Sequence, residues 1–201
     1  MALTMVHLLV ADRWAAGHGE YSQSPEFYYG AISPDAIHIR DGGDKSRKDE
    51  FHLRNWRSPH PEHVIDYWRR HFTPFDVGYG VHVLTDCQWV PRYTRRLPGL
   101  FKPEGGLNVE RYYNDTFVTD FALYRKTPRL EQILKLIGTA RTPADHPLLT
   151  ANEFAQWRDV ILKTYRGECP RHDPPTQVDE VYVLECVKDS IACIDEVFAG
   201  I

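Results

Sequence analysis

The chain has 201 residues, of which 42% are hydrophobic, including 5 Trp, 11 Tyr and 9 Phe; that is enough to build one domain with a sizeable core and excludes disorder as the default. With 24 Lys and Arg against 28 Asp and Glu, the net charge is −4, so the basic excess of a nucleic-acid binder is missing and no nucleic-acid partner is expected. The 10 His are a modest excess of the kind a metal site explains, although ordinary surface or core His account for at least half of them.

Helical period dominates the chain. Thr4 is placed to cap a first helix running to about Ala15, with His7 and Val10 on neighbouring turns. This stretch has no basic start and no cleavage-like end, so no leader is expected and a cytoplasmic location is. Ser24-Pro25 opens a second helix that stops near Ser33-Pro34. Residues 41–58 read as a charged loop with room for one short turn. Pro61 opens a helix with Val64, Ile65, Trp68 and Phe72 on one side, and Thr73-Pro74 caps another over 74 to about 94. Further helices are expected near 107–126, 128–140, 151–166 and 176–199, the last with Val181, Leu184, Val187, Ile191, Ile194 and Phe198 at helical spacing. No strand pair, repeat or run of some 18 apolar residues occurs, so no stable membrane insertion is expected. The expectation is an all-α, single-domain bundle of about seven helices. The long C-terminal helix leaves a homo-oligomer open. The four Cys form no C-x-x-C and read as buried thiols in a reducing compartment; Cys87 reads as core.

The stretch "GYGVHVLTDCQW" places His82 and Asp86 four residues apart on an otherwise apolar helix. An imidazole nitrogen and a carboxylate oxygen on one face suit zinc or another borderline divalent ion. A charged Asp86 in apolar surroundings is costly without a cation. A buried His–Asp hydrogen bond is the plainer reading of that pair alone. "YYGAISPDAIHIR" adds Asp35 and His38, which also read as the cap of a short turn. "KDEFHLRNW" adds His52, otherwise a surface His, and "TMVHLLVAD" adds His7, otherwise a core residue. Arg40, Lys45, Arg47 and Lys48 alternate with Asp41, Asp44, Asp49 and Glu50, the pattern of a self-paired solvated loop. Arg40, directly after the Asp35–His38 turn, is the one expected to receive a phosphate.

Together, "HLLVA", "GAISPDAIH", "DEFHL" and "GYGVHVLTDCQW" resemble, in that order, the zinc-dependent phospholipase C-like proteins, whose wider group includes single-strand-specific zinc nucleases. The resemblance spans the chain to about residue 90 and continues loosely beyond. It implies an all-α metal-dependent phosphoester hydrolase. Asp35, His52, His82 and Asp86 would ligate one ion, and His7 a second, with Asp86 bridging. Asp35 would double as the group that orients the attacking water. Two features of the three-metal members are missing. Six residues precede His7, where those enzymes use a mature N-terminal Trp, and no H-x-x-x-E follows Asp86. One or two zinc ions, or another divalent metal, are therefore expected. "ERYYNDTFVTDFALY" is similar to a pattern in small cytosolic members, which would make Asn114, Asp115 and Asp120 substrate-binding along with Arg40 and His38; a solvated helix face is the competing reading.

The expected substrate is a small phosphoester. Two alternatives remain. A nucleotide phosphohydrolase of the His-Asp type would use His172-Asp173, which lies in a Pro-rich stretch. A non-catalytic helical protein could hold a structural metal.

Overall fold

The computed structural model describes residues 2–42, 47–53, 61–144 and 146–201. Asp44, Lys45 and much of the charged 41–58 stretch lie outside these residues. Among the described residues the fold is all-α, with no strand and one isolated bridge between Phe101 and Leu107. The helices are α1 (Thr4–Ala15), α2 (Pro25–Gly30), α3 (Lys48–Phe51), α4 (Glu62–Arg70), α5 (Pro74–Arg96), α6 (Val109–Lys126), α7 (Pro128–Thr139), α8 (Ala151–Thr164) and α9 (Glu180–Phe198). Two 3-10 segments, Ser33–Gly42 and Pro98–Leu100, interrupt them. The other eight helices match the eight segments expected from the sequence, one more than the approximate count of seven; α3 and the two 3-10 segments are additional. α3 has four residues and Pro98–Leu100 three, too few to show a helical period.

Most helix starts follow the local chemistry of the sequence. Phe27 N donates to Ser24 Oγ at 3.2 Å as Pro25 opens α2. Asp76 N donates to Thr73 Oγ1 at 3.3 Å while Thr73 N donates to Asp76 Oδ2 at 2.9 Å, a reciprocal box that starts α5. Thr150 and Glu153 form the same device at α8. Thr4 does not cap α1. It lies inside the helix, Leu3 is the capping residue, and its side chain makes no capping bond. The α9 start moves to Asp179, whose carboxylate accepts from Tyr182 N at 2.8 Å. Its buried face also turns: Val183, Val187, Ile194 and Val197 point inward, whereas Val181 is 65% exposed. Phe72, expected in the core, is 50% exposed and stacks on Phe198.

Residues 77–87 of α5 are buried on every side of the helix, with α1, α2, α4 and α9 packed around it. The tightest of these contacts is with α2. A Cβ on Gly30 would fall 2.0 Å from Phe75 O, and a Cβ on Gly78 would fall 2.0 Å from Phe27 O. The two glycines thus face each other across the crossing and let the backbones touch. Gly80 makes room for Trp68, whose Nε1 donates to Asp76 O at 2.9 Å.

Gly78→Val should destabilise the fold by about 3 kcal/mol, because neither backbone can yield to the added side chain. Gly19→Ala, where a Cβ meets nothing within 4 Å, should stay within about 0.5 kcal/mol of wild type. Urea unfolding midpoints of both variants check this; equal midpoints would contradict the crossing.

Candidate metal centre

Four separate elements converge beside the glycine crossing. α1 supplies His7, the first 3-10 segment supplies Asp35, the residue ending α3 is His52, and α5 supplies His82 and Asp86. His7, His52, His82 and Asp86 are at most 1% exposed, and Asp35 is 7% exposed.

Each side chain is positioned by an identifiable contact. Ala31 O, brought close by the α2–α5 crossing, lies 2.9 Å from His82 Nδ1. Lys48 O lies 3.0 Å from His52 Nδ1. Tyr79 Oη donates to Phe51 O at 2.6 Å and so ties α3 to α5. Leu53, directly after His52, takes φ 53°, in the left-handed region. Trp157 Nε1 donates to Ile32 O at 2.7 Å, anchoring the backbone that leads to Asp35. Asp86 Oδ1 accepts from Ala2 N at 3.0 Å. The His7 and His82 rings stack with centroids 3.7 Å apart and planes 5° apart.

These contacts decide where the protons sit. A carbonyl oxygen only accepts, so Nδ1 of His52 and of His82 carries the hydrogen. In the neutral rings each Nε2 is then a bare lone pair. His52 Nε2 lies 3.5 Å from Asp35 Oδ1 and 3.5 Å from Asp86 Oδ2; His82 Nε2 lies 4.0 Å and 3.9 Å from Oδ2 of the same residues. His7 Nε2 lies 3.6 Å from Asp86 Oδ1. These separations are too long for good hydrogen bonds. They suit ligand atoms about 2.0 Å from a shared tetrahedral ion, which stand about 3.3 Å apart. Candidate ligand atoms of His7, Asp35 and His82 lie within 4.8 Å of one another, as do those of His52, His82 and Asp86. The Nε2 atoms of His7, His52 and His82, with Asp35 Oδ1 and Asp86 Oδ2, are buried without hydrogen-bond partners. Among these, the acceptors of His52, His82 and Asp86 face one another, and buried acceptors so arranged call for a cation.

The charges agree. Burial pushes His7 and His82 toward the neutral ring, His82 strongly. Burial also opposes ionisation of both carboxyls, but it is outweighed. Lys48, His38 and His52 hold Asp35 well below the usual carboxylate range, and His7 foremost brings Asp86 down to about 2. Ionised carboxyls with His7 and His82 pushed toward the neutral ring are what a ligand set requires. His38 stands beside the cluster, with Nε2 3.6 Å from Asp35 Oδ1, and is more exposed.

Four other expected site residues are bonded to partners outside the cluster. Asp120 caps α1: its Oδ1 accepts from Met5 N at 3.1 Å and Val6 N at 3.2 Å, and Tyr165 Oη donates to its Oδ2. That is the cap which Thr4 does not supply. Asp115 Oδ2 accepts from the backbone N of Thr176, Gln177 and Val178, and so fixes the chain leading into α9. Asn114 Nδ2 donates to Asp173 O at 3.0 Å. Arg40 is committed to Glu153 through a two-pronged ion pair at 2.5 and 2.8 Å and to Leu148 O, and cannot be the expected phosphate receiver while so held. Asn114 and Asp115 do line a cleft of about 510 Å³, together with Arg111, Arg171, His172 and Asp173, but no residue of the cluster lines it. His172 and Asp173 lie outside any helix. Cys87 is core, and burial pushes its thiol up.

One residue of the site was not expected. Lys48, read in sequence as part of a solvated loop, is buried with Nζ 3.6 Å from Asp35 Oδ1. Its only signal was its place four residues before His52. Comparison with known protein families, curated proteins and solved structures finds no match to this chain.

Two outcomes follow. Asp120→Asn should lower stability by about 1–2 kcal/mol while leaving metal content unchanged, read by denaturant unfolding and elemental analysis. The chelated protein should lose stability as pH falls through 6.5, the ordinary His value, because the unfolded chain then takes up protons that buried His7 and His82 refuse. The slope should approach about 1.4 kcal/mol per pH unit for each ring. Unfolding free energies at pH 7.5 and 5.5, compared with those of the His7→Gln, His82→Gln double variant, read it directly.

Proposed function

We propose that this chain is a metal-dependent phosphoester hydrolase, with zinc the best-suited ion. The observation that carries the reading is the buried cluster of three imidazoles and two carboxylates whose free acceptor atoms face one another. The mixed nitrogen and oxygen donor set suits zinc, and sites of this composition commonly keep a position for water, whereas structural zinc usually draws on Cys. The chain's Cys are not among the candidate ligands. Zinc bound there would supply Lewis acidity, bringing a water's pKa toward about 7 and offsetting charge on the phosphoryl group.

The protein's own contribution is positional. His82 and His52 keep Nε2 directed inward because their Nδ1 protons are held by carbonyls. Asp35, at the edge of the cluster, would orient the attacking water. Among the described residues no helix is long and apolar enough to cross a membrane, and a small phosphoester suits this site as well as a lipid.

The near-complete burial of four of the five ligand candidates favours a second reading, a closed structural ion. The two differ in activity. Purified protein should contain one or two equivalents of zinc. His82→Ala and Asp86→Ala should lose most of it, together with at least a hundredfold in turnover of p-nitrophenyl phosphate, bis(p-nitrophenyl) phosphate or phosphatidylcholine vesicles. Full zinc content in both variants would remove the site. Zinc content with no phosphoester cleaved would favour the structural ion.

A further inference from the structure

We propose that His38 and Asp35 hold a second divalent cation at the open edge of the cluster, apart from the ion of the sealed ligands, with His38 Nε2 and Asp35 Oδ1 as its protein ligands and its remaining positions open to solvent. The inference rests on the hydrolase reading above and deepens it, because it assigns the ion that substrate reaches.

His38 Nε2 is a buried atom without a hydrogen-bond partner. It stands 3.6 Å from Asp35 Oδ1, which is likewise buried and without one. With a hydrogen on Nε2, that distance gives only a poor bond. Without it, two acceptors face each other. Neither tautomer satisfies the pair, whereas an ion about 2.0 Å from each atom does, since such ligands stand about 3.3 Å apart. Both residues belong to the 3-10 segment Ser33–Gly42, and a spacing of three brings their side chains into line.

Asp35 can serve both ions, because each oxygen of a carboxylate has lone pairs of its own. Oδ2 faces His82 Nε2 at 4.0 Å, and Oδ1 faces His38. Lys48 Nζ also lies 3.6 Å from Oδ1, so an ion there shares that oxygen and binds more weakly than one in the sealed set.

Access separates the two positions. The side chains of His7, His52, His82 and Asp86 are sealed at 0–1% exposure, whereas those of Asp35 and His38 retain 10% and 17%. An ion ringed by the sealed residues has little room for a substrate oxygen. An ion held by two residues at the edge keeps the open positions that a catalytic metal requires. One imidazole nitrogen and one carboxylate oxygen suit zinc there as well.

The test uses the full chain, stripped of metal and titrated calorimetrically with Zn²⁺, in wild type, His38→Ala and His38→Gln. Thermal unfolding is measured on each, and the imidazole nitrogen resonances of wild type are followed through the titration. Wild type should bind a tight equivalent and then a weaker one, with His38 Nε2 shifting as the weaker one is added. Both variants should keep the tight equivalent and bind the weaker one at least tenfold less well. Gln can still donate to Asp35, so its loss marks a missing ligand and not a missing hydrogen bond. Weak-site affinity within twofold of wild type in both variants would overturn the proposal. So would a His38 resonance that zinc leaves unmoved, or loss of the tight equivalent from both variants, which would make His38 a support for Asp35 instead. Failure of the hydrolase reading is separately visible. Wild-type protein that takes up no zinc removes both claims, while two bound equivalents without phosphoester turnover remove only the reaction.

Discussion

The contact between Gly30 and Gly78 is the constraint on which the rest depends. Side chains normally hold helix axes 8–10 Å apart. Where both surfaces are glycine, the backbones of α2 and α5 meet, and any Cβ would enter the opposing carbonyl. Two consequences reach the site. The carbonyl of Ala31, one residue past Gly30, comes into hydrogen-bonding range of His82 and fixes its tautomer. The chain leaving α2 also starts its 3-10 segment close enough to α5 for Asp35 to meet His82 across the gap. A wider crossing would leave the same five ligand candidates in the molecule but not in one cluster.

The cluster carries a cost that the surrounding apolar core has to offset. Two ionised carboxylates are buried, and several acceptors have no donor. Lost hydrogen bonds of this kind cost about 1–3 kcal/mol each, more for charged groups. A sequence selected for stability alone would place apolar side chains here, because α5 is otherwise buried on all sides. The residues that do relieve the strain act from outside the cluster: Ala2 N donates to Asp86, and Lys48 stands beside Asp35. The arrangement therefore reads as stability given up for a site.

The division between what the sequence showed and what it did not follows the range of the interactions. The α2, α5 and α8 starts rest on residues three apart, Ser24 with Phe27, Thr73 with Asp76 and Thr150 with Glu153, and such local bonds leave a local signature. His82 and Asp86 are legible because helical spacing places them on one face. The cap of α1 is not, because Asp120 reaches it from more than a hundred residues away. Asp120 and Asp115 read as polar residues in search of a ligand when their partners are the chain's own backbone. Arg40 is hidden in the same way by Glu153. The orientation of α9 fails for a related reason: apolar residues on two adjacent stripes leave the face to be chosen by α1 and α5, and Val181 loses.

Lys48 shows how tertiary context reverses a local reading. In sequence it belongs to an alternating run of charges, whose usual fate is a solvated surface. In the fold, Lys48 O accepts from His52 N at 3.0 Å and keeps a second lone pair for a side chain. His52 uses the carbonyl of Lys48 to orient its ring. The same residue thus supplies a backbone acceptor that aims His52, a candidate ligand, and an amino group that faces Asp35, and both depend on one short turn held to α5 by Tyr79. A loop could not fix both groups to within the tolerance that metal coordination requires. The brief helix, too short to announce itself by period, is therefore what joins buried His52 to Lys48 at the less sealed edge of the cluster.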